Sequence, residues 1–459
     1  MIRPFRATVA LLLPVLLAGC AASSVLSPYP AQAVHYRAAL DAGTPDAALT
    51  RIGRKTESAD AMLYLLEKAR IAQLSGNADA SREAFTAVLG RFAAQDERAL
   101  VSASAYAASG ASLLTNDNAR PYAGRTYERV FVHQYQALNY LAASDLQGAL
   151  VEVRRANQAQ VEALRDKEKQ VDKAQADAER KGLDTARYDQ YFSPMDLAAG
   201  RVKNGFQNAA TFYLSGLIYE ANGQANDAYI DYRKALELVP ENPWLQKDVV
   251  RTGLAVGIDD AKKLAKQLGN VQVAPKPGEG ELVVYLEEGF VPAKQPVSVP
   301  IWTMKTMNNV SFPIYGEALA PAPQAVQVDG RELETGLLVD TRALAVRTLK
   351  DETPALIARA FLRLLTRQEM QRQAQRQDTT GLLGLATTIY SLVAEQPDLR
   401  SWLTLPGSGQ VLRLPLPAGE HTISRPGMAP LAVTVRPGRP TLVHLVALPG
   451  KTYSRIYPL

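Results

Sequence analysis

From Tyr29 to Asn270, apolar residues return every three or four positions through a stretch rich in Ala, Leu, Gln, Arg and Glu, the spacing that gathers side chains on one face of a helix. Near Val271 the pattern changes. The stretch 271–280, ending Val-Ala-Pro-Lys-Pro-Gly-Glu-Gly, has the stiffness and polarity of a linker. Beyond it come short β-branched runs, Leu282 to Leu286 and Val297 to Val299, interrupted by Pro and Gly as strands are. The chain therefore predicts an α+β multidomain protein, with a helical array over 31–270, a linker over 271–280, and an α+β region over 281–459 that ends in a small antiparallel β-sandwich.

The helical stretch repeats itself. Ala209 to Asn242 resembles the 34-residue tetratricopeptide unit, with Phe212, Gly216, Tyr219, Gly223, Ala228, Tyr232, Ala235 and Pro240 at its signature positions. Small Gly216 and Ala228 let two helices approach, Tyr219 and Tyr232 fill the space between them, Gly223 permits the turn, and Pro240 ends the second helix. The register returns in Val130 to Ala163 through Ala137, Tyr140, Ala149, Val153 and Ala156, and more weakly in Met62 to Gln95 through Leu65, Ala69, Gly76 and Phe85. These two units start 68 residues apart, which predicts a degenerate hairpin over Asp96 to Arg129, and Ala39, Gly43 and Ala48 fit a truncated one before them. Single units cannot bury their apolar faces, so they stack into a curved array with a concave side. The template turns Phe131, Gln134, Leu138, Tyr213, Leu217 and Glu220 into that groove, where they are the candidate partner-binding residues.

Two segments depart from their surroundings. Val161 to Arg187 is crowded with charge and predicts a long projecting helix that ends near Gly182. Thr353 to Ala394 interrupts the strands: Thr353 is a candidate cap, Pro354 a first-turn proline, and Arg359, Arg363, Arg367, Arg372 and Arg376 recur on one polar side. That side is either a solvated face or a basic one for phospholipid headgroups or anionic glycan. Strands then return at Val411 to Leu414, Pro417 to Ile423, Leu431 to Val435 and Thr441 to Leu445, separated by Pro-Gly turns. The Pro417 to Ile423 phrase resembles the small PEGA-type surface domains, which implies binding or spacing.

Composition narrows the function classes. With 47% apolar and 21% charged residues the chain is an ordinary folded protein, and its 459 residues suffice for two or three domains. Lys and Arg are interleaved with Asp and Glu, which argues against nucleic acid as a partner. The single cysteine, Cys20, follows a basic head with Arg3 and Arg6, an apolar run from Val9 to Ala18, and Leu17-Ala18-Gly19. This arrangement resembles the lipobox of bacterial lipoproteins. It implies a signal peptide over 1–19, acyl chains on Cys20, and a tether over 20–30 that holds the protein stably on a membrane. Removal of Arg3 and Arg6 with the signal takes the formal charge from +5 to about +3. Ala21 and Ala22 stand where inner-membrane retention commonly uses Asp, so the implied address is the periplasmic face of the outer membrane. Gly381 to Val393 is too short for a span and predicts a buried helix.

Chemistry-bearing motifs are sparse. His35, His133, His421 and His444 are widely separated, and no His-Glu-x-x-His pair, nucleophile elbow, phosphate loop or dinucleotide fingerprint occurs. Gly407-Ser408-Gly409 reads as a turn, and Glu287 and Glu288, adjacent on a strand, point to opposite faces. Catalytic residues, metal and cofactor are accordingly predicted to be none. Several phrases, among them Tyr127-Glu128-Arg129, Ala137 to Leu141, Val151 to Arg155, Asp398 to Trp402 and Arg413 to Gly419, resemble a family of bacterial repeat-containing lipoproteins that carries no assigned activity. Taken together these readings predict a lipid-anchored periplasmic scaffold or adaptor that binds an envelope protein through its groove. Two rivals stand beside it: a cell-wall or polysaccharide enzyme with its site in the second half, built on paired carboxylates or His421 with His444, and a structural subunit of an outer-membrane secretion or appendage complex.

Overall fold

The computed structural model describes residues 27–53, 59–102, 118, 120–180, 182–269, 274–303, 306–377 and 396–459. Cys20 and its signal, the Gly381 to Val393 stretch, residues 271–273 of the expected linker and residues 103–117 of the expected hairpin lie outside them.

The first half folds as helices in consecutive pairs: α1 (Tyr29–Asp41) with α2 (Pro45–Ile52), α3 (Ala61–Leu74) with α4 (Ala78–Ser102), and α5 (Thr126–Ala142) with the long α6 (Leu146–Arg180). After the short α7 (Asp196–Gly200) come α8 (Ala209–Ala221) with α9 (Ala225–Leu238), then α10 (Pro243–Ala255) with α11 (Asp259–Gln267). The turn inside each pair holds one residue at positive φ: Gly43, Gly76, Ser144, Gly223 and Gly257. A chain reversing within three residues needs that left-handed step, which glycine makes without a Cβ clash. The pair α10 and α11 extends the repeating pattern beyond the units read from sequence. Side-chain caps start two of the helices: Asn208 Oδ1 accepts from Ala210 and Thr211 N–H at α8, and Asn242 Oδ1 from Trp244 and Leu245 N–H at α10.

Gly216 of α8 lies against the Tyr232 ring of α9, where a Cβ would stand 2.7 Å from a ring carbon. Gly216→Ala therefore forces the two helices apart, and we expect a loss of about 1–3 kcal/mol in denaturant unfolding; an unchanged midpoint would show that the helices separate freely.

The second half has three sheets. A five-stranded one has the order β11 (Thr452–Pro458), β10 (Pro440–Ala447), β1 (Glu279–Glu288), β7 (Ser408–Pro417), β6 (Gly336–Asp340). A four-stranded one has the order β5 (Arg331–Glu334), β4 (Ala325–Val328), β8 (Gly419–Arg425), β9 (Met428–Val435), and β2 (Gln295–Thr303) pairs with β3 (Thr306–Ile314) as a ribbon. Pairing is antiparallel except that β1 runs parallel to β10. Alternation divides β1 between two cores. Leu282, Val284 and Leu286 meet Val326, Ile423 and Val433 of the four-stranded sheet, while Val283 and Tyr285 join the core shared with the helices. Covered on both faces, β1 reads as a continuous apolar run.

The long helix α12 (Thr341–Gln377) differs from its expected start at Thr353. It begins at Thr341, where Asp340 Oδ1 accepts from Ala343 N–H, and Pro354 sits inside it. Thr353 caps nothing; its hydroxyl donates to Leu349 O, and buried Leu344, Val346 and Leu349 hold the upstream turns in place.

Candidate functional site

The expected groove residues are gathered together, but the chain's own second half covers them. Phe131, Gln134, Leu138, Tyr213 and Leu217 are each at most 1% exposed. Gln134 accepts from Thr211 Oγ1 at 2.6 Å and donates to Tyr285 of β1 at 3.2 Å. Tyr213 donates to Asp248 at 3.0 Å, and Glu220 takes both Arg413 of β7 and Arg251 of α10. An open partner groove is thus corrected to a filled one. The reason is chemical, because the helix-facing side of the five-stranded sheet carries Tyr285, Glu287, Arg413 and His444, polar groups that match those on the helices.

An irregular segment, Arg400 to Leu405, with a turn at Leu403 and Thr404, packs beside them on α3 and α5. Glu67 of α3 accepts from Leu403 N–H at 2.8 Å and from the backbone and hydroxyl of Thr404, and Glu128 of α5 accepts from Trp402 N–H at 2.8 Å. Trp402 packs edge-on against Phe85 and Tyr135, both at 5.9 Å. Burial pushes the Glu67 carboxyl up to about 7, against the pull of its four donors. The array therefore holds a peptide, and the peptide belongs to the same chain.

The histidines do not converge. His444 lies on the helix-facing side, 3.3 Å from Glu287, whereas His421 belongs to the other sheet. There its ring bridges Asp329 at 2.6 Å and Pro417 O at 2.8 Å. Burial lowers the His421 pKa, but the Asp329 carboxylate and the Pro417 carbonyl outweigh it and raise it. His133 meets Glu152, which also takes Arg155. Among the described residues no group of three His, Cys, Asp or Glu side chains is placed to hold a metal.

A cleft of about 240 Å³ opens where four segments meet: the loop Arg120 to Arg125, strand β3 from Val310 to Pro313, helix α12 from Leu356 to Leu364, and Gln396 to Arg400. Five arginines line it, Arg120, Arg125, Arg359, Arg363 and Arg400, with Asp398 as the single acid among the lining residues. Arg359 and Arg363, four apart on one helix face, are the first two of the periodic arginines noted in the sequence. Arg400 is held rigid: it donates to Asp398 through Nε and Nη2, both at 2.9 Å, and to Asp60 and the Arg120 carbonyl at 2.9 Å. Arg125 pairs with Glu352 at 2.6 Å. Burial raises the Asp398 pKa, but Arg400, Lys294 and Arg125 outweigh it and hold it at about 2. Lys294, behind the cleft wall, donates to Arg400 O; burial and Arg125 bring it down to about 8.

Arg120, Arg125 and Arg400 escape sequence reasoning because they come from segments remote from α12, although Arg400 sits in the Asp398 to Trp402 phrase. No family model, curated protein or solved structure matches the chain.

Proposed function

We propose that the protein is a lipid-anchored envelope adaptor: a tetratricopeptide-like array closed on its own sheet and peptide, with the arginine-lined cleft as the port that takes an anionic ligand. The observation that carries this reading is the convergence of five arginines on the lining of one cleft, two of them, Arg125 and Arg400, fixed there by ion pairs with Glu352 and with Asp60 and Asp398. The lipobox-like segment supports the periplasmic face of an outer membrane as the address, and the envelope partner is recognised at the cleft in place of the filled groove. The cleft favours binding over turnover, since a general acid or base works with a pKa near the ambient pH and Asp398 lies far below it.

Titration calorimetry of the full-length protein in detergent with inorganic pyrophosphate tests the reading. Binding is expected to weaken with salt, and to fall about tenfold or more for each of Arg359→Gln and Arg363→Gln, the effect of losing a charge-assisted hydrogen bond. Absence of binding, or equal binding by the double variant, would remove the proposal.

A further inference from the structure

The five-stranded sheet ends on β11, and two bonds fix which backbone groups of that strand face outward. Leu448 N–H donates to Lys451 O at 2.9 Å, and Leu459 N–H donates to Pro440 O at 3.1 Å. Bonded pairs alternate along an antiparallel ladder, so Tyr453, Arg455 and Tyr457 direct their backbone groups to β10, and those of Thr452, Ser454 and Ile456 point away from it. Among the described residues no strand pairs with β11 on that side. The opposite edge of the sheet is closed: β6 is short, bulged between Leu337 and Val339, and its Leu337 O accepts from Asn242 Nδ2 at 2.8 Å. Natural sheets blunt their edges by such means. On β11 the one charge, Arg455, is turned onto the helices, where it donates to Gly76 O at 3.3 Å, and Pro458 stands only at the strand's end.

The register of the edge points to its occupant. Outward groups bond only to outward groups, so a second β11 lying antiparallel must set Thr452, Ser454 and Ile456 against the same residues of the other copy. A two-fold axis at Ser454 places Ser454 opposite its own copy and Thr452 opposite Ile456 of the second copy, and every outward residue of both strands is then bonded. Between them Tyr453 meets Arg455 of the second copy, with no like charges opposed. Moving the axis to Arg455 sets two arginines directly opposite each other and brings Pro458, which has no N–H, into the ladder. Moving it to Tyr453 carries Ile456 past the strand, opposite Gly450 in the turn. On the outer face Ile456, 36% exposed, gains Thr452 of the second copy as a β-branched cross-strand neighbour.

We infer that β11 is the interface of a two-fold dimer, in which the β11 strands of two copies pair antiparallel about Ser454 and join the two five-stranded sheets into one. The assembly closes at two copies, because the β6 edge offers no ladder to a third. An interface built on one strand is small, so the dimer forms and dissociates with concentration. The inference does not rest on the reading of the cleft.

Sedimentation equilibrium of the full-length protein, in density-matched detergent with micelles in excess over protein, tests it. The wild type is expected to pass from monomer to dimer as its concentration rises. Ser454→Pro removes an N–H that points away from β10, so the chain's own ladder survives while both central bonds of the added one are lost. It is expected to weaken the dimer about tenfold or more, with an unchanged urea midpoint. Thr452→Lys with Ile456→Lys opposes like charges across the axis and is expected to abolish the dimer, whereas Thr452→Lys with Ile456→Glu opposes unlike charges and restores it. Rescue of that kind reports the register about Ser454 and does not follow from damage to the fold. A wild type that stays monomeric at the highest concentration reached would overturn the inference, as would a dimer indifferent to Ser454→Pro. So would a lysine and glutamate variant no better paired than the double lysine, because the copies would then meet in another register or on another surface.

Discussion

Arg413→Met is expected to loosen the sheet from the helices and to cost about 3–5 kcal/mol, the loss typical of breaking one side of a buried charge cluster. Arg413 is almost fully buried and projects from β7 onto the helical array. It reaches Glu281 at 3.0 and 2.6 Å, Glu220 at 3.1 and 3.0 Å, the Tyr232 hydroxyl at 3.0 Å, and Asp248 at 3.3 Å. Among the described residues Arg251 is the one other arginine bonded to this set, taking Glu220 and Asp248. Without Arg413, three carboxylates crowd round a single guanidinium in a site nearly closed to water. Methionine fills the volume, and burying its side chain returns about 1.5–3 kcal/mol at most, less than the strain of the uncompensated acids. Arg413→Lys keeps one charge but loses the planar fork, so its effect should fall between wild type and Arg413→Met. Urea unfolding followed by near-ultraviolet dichroism and by limited proteolysis of the helical half reads both effects. A midpoint for Arg413→Met equal to that of wild type would show that the cluster does not fasten the two halves.

Why the strands are legible and their partners are not follows from the range over which each is encoded. Leu282 to Leu286, Val411 to Leu414 and Thr441 to Leu445 announce themselves by β-branched runs between Pro and Gly, and each lies in a strand. The helix pairs announce themselves by period, and Gly216 and Tyr232 meet as their spacing implies. The parallel pairing of β1 with β10 has no such local mark, because the two strands share no turn. Filling of the concave face is likewise nonlocal: Arg70 meets Glu287 and Asp60 meets Arg400 from opposite ends of the chain. One sign was present in the strands themselves. Arg413 and Glu287 stand at positions whose alternation turns them inward, and a charge at an inward position requires a partner across the interface. The cleft is the hardest element to foresee, since only Arg359 and Arg363 belong to a periodic segment and the remaining arginines reach it through tertiary folding.

Glu287→Gln is expected to destabilise the protein by several kcal/mol near neutral pH, with the difference from wild type shrinking as acid is added. Glu287 is fully buried on β1, paired with Arg70, accepting from Tyr135 at 2.9 Å and lying 3.3 Å from His444. Burial alone would raise its pKa, but Arg70, His444 and Tyr135 outweigh burial and hold it at about 2, below the ordinary 4.5. A carboxyl with a depressed folded value contributes stability that is complete above the unfolded value and vanishes as pH falls through the folded one. The window therefore runs from about pH 4.5 down to about 2, and the depression corresponds to on the order of 3 kcal/mol. Glutamine has no proton to take up, so its variant lacks this limb and leaves the Arg70 guanidinium, stacked 4.1 Å over the Tyr135 ring, without its counter-charge. Urea midpoints measured at intervals across this window decide the matter. A wild-type advantage that stays constant from neutral pH to pH 2 would mean that Glu287 holds its place by packing alone, and the ionic account of how the sheet is seated in the array would fall.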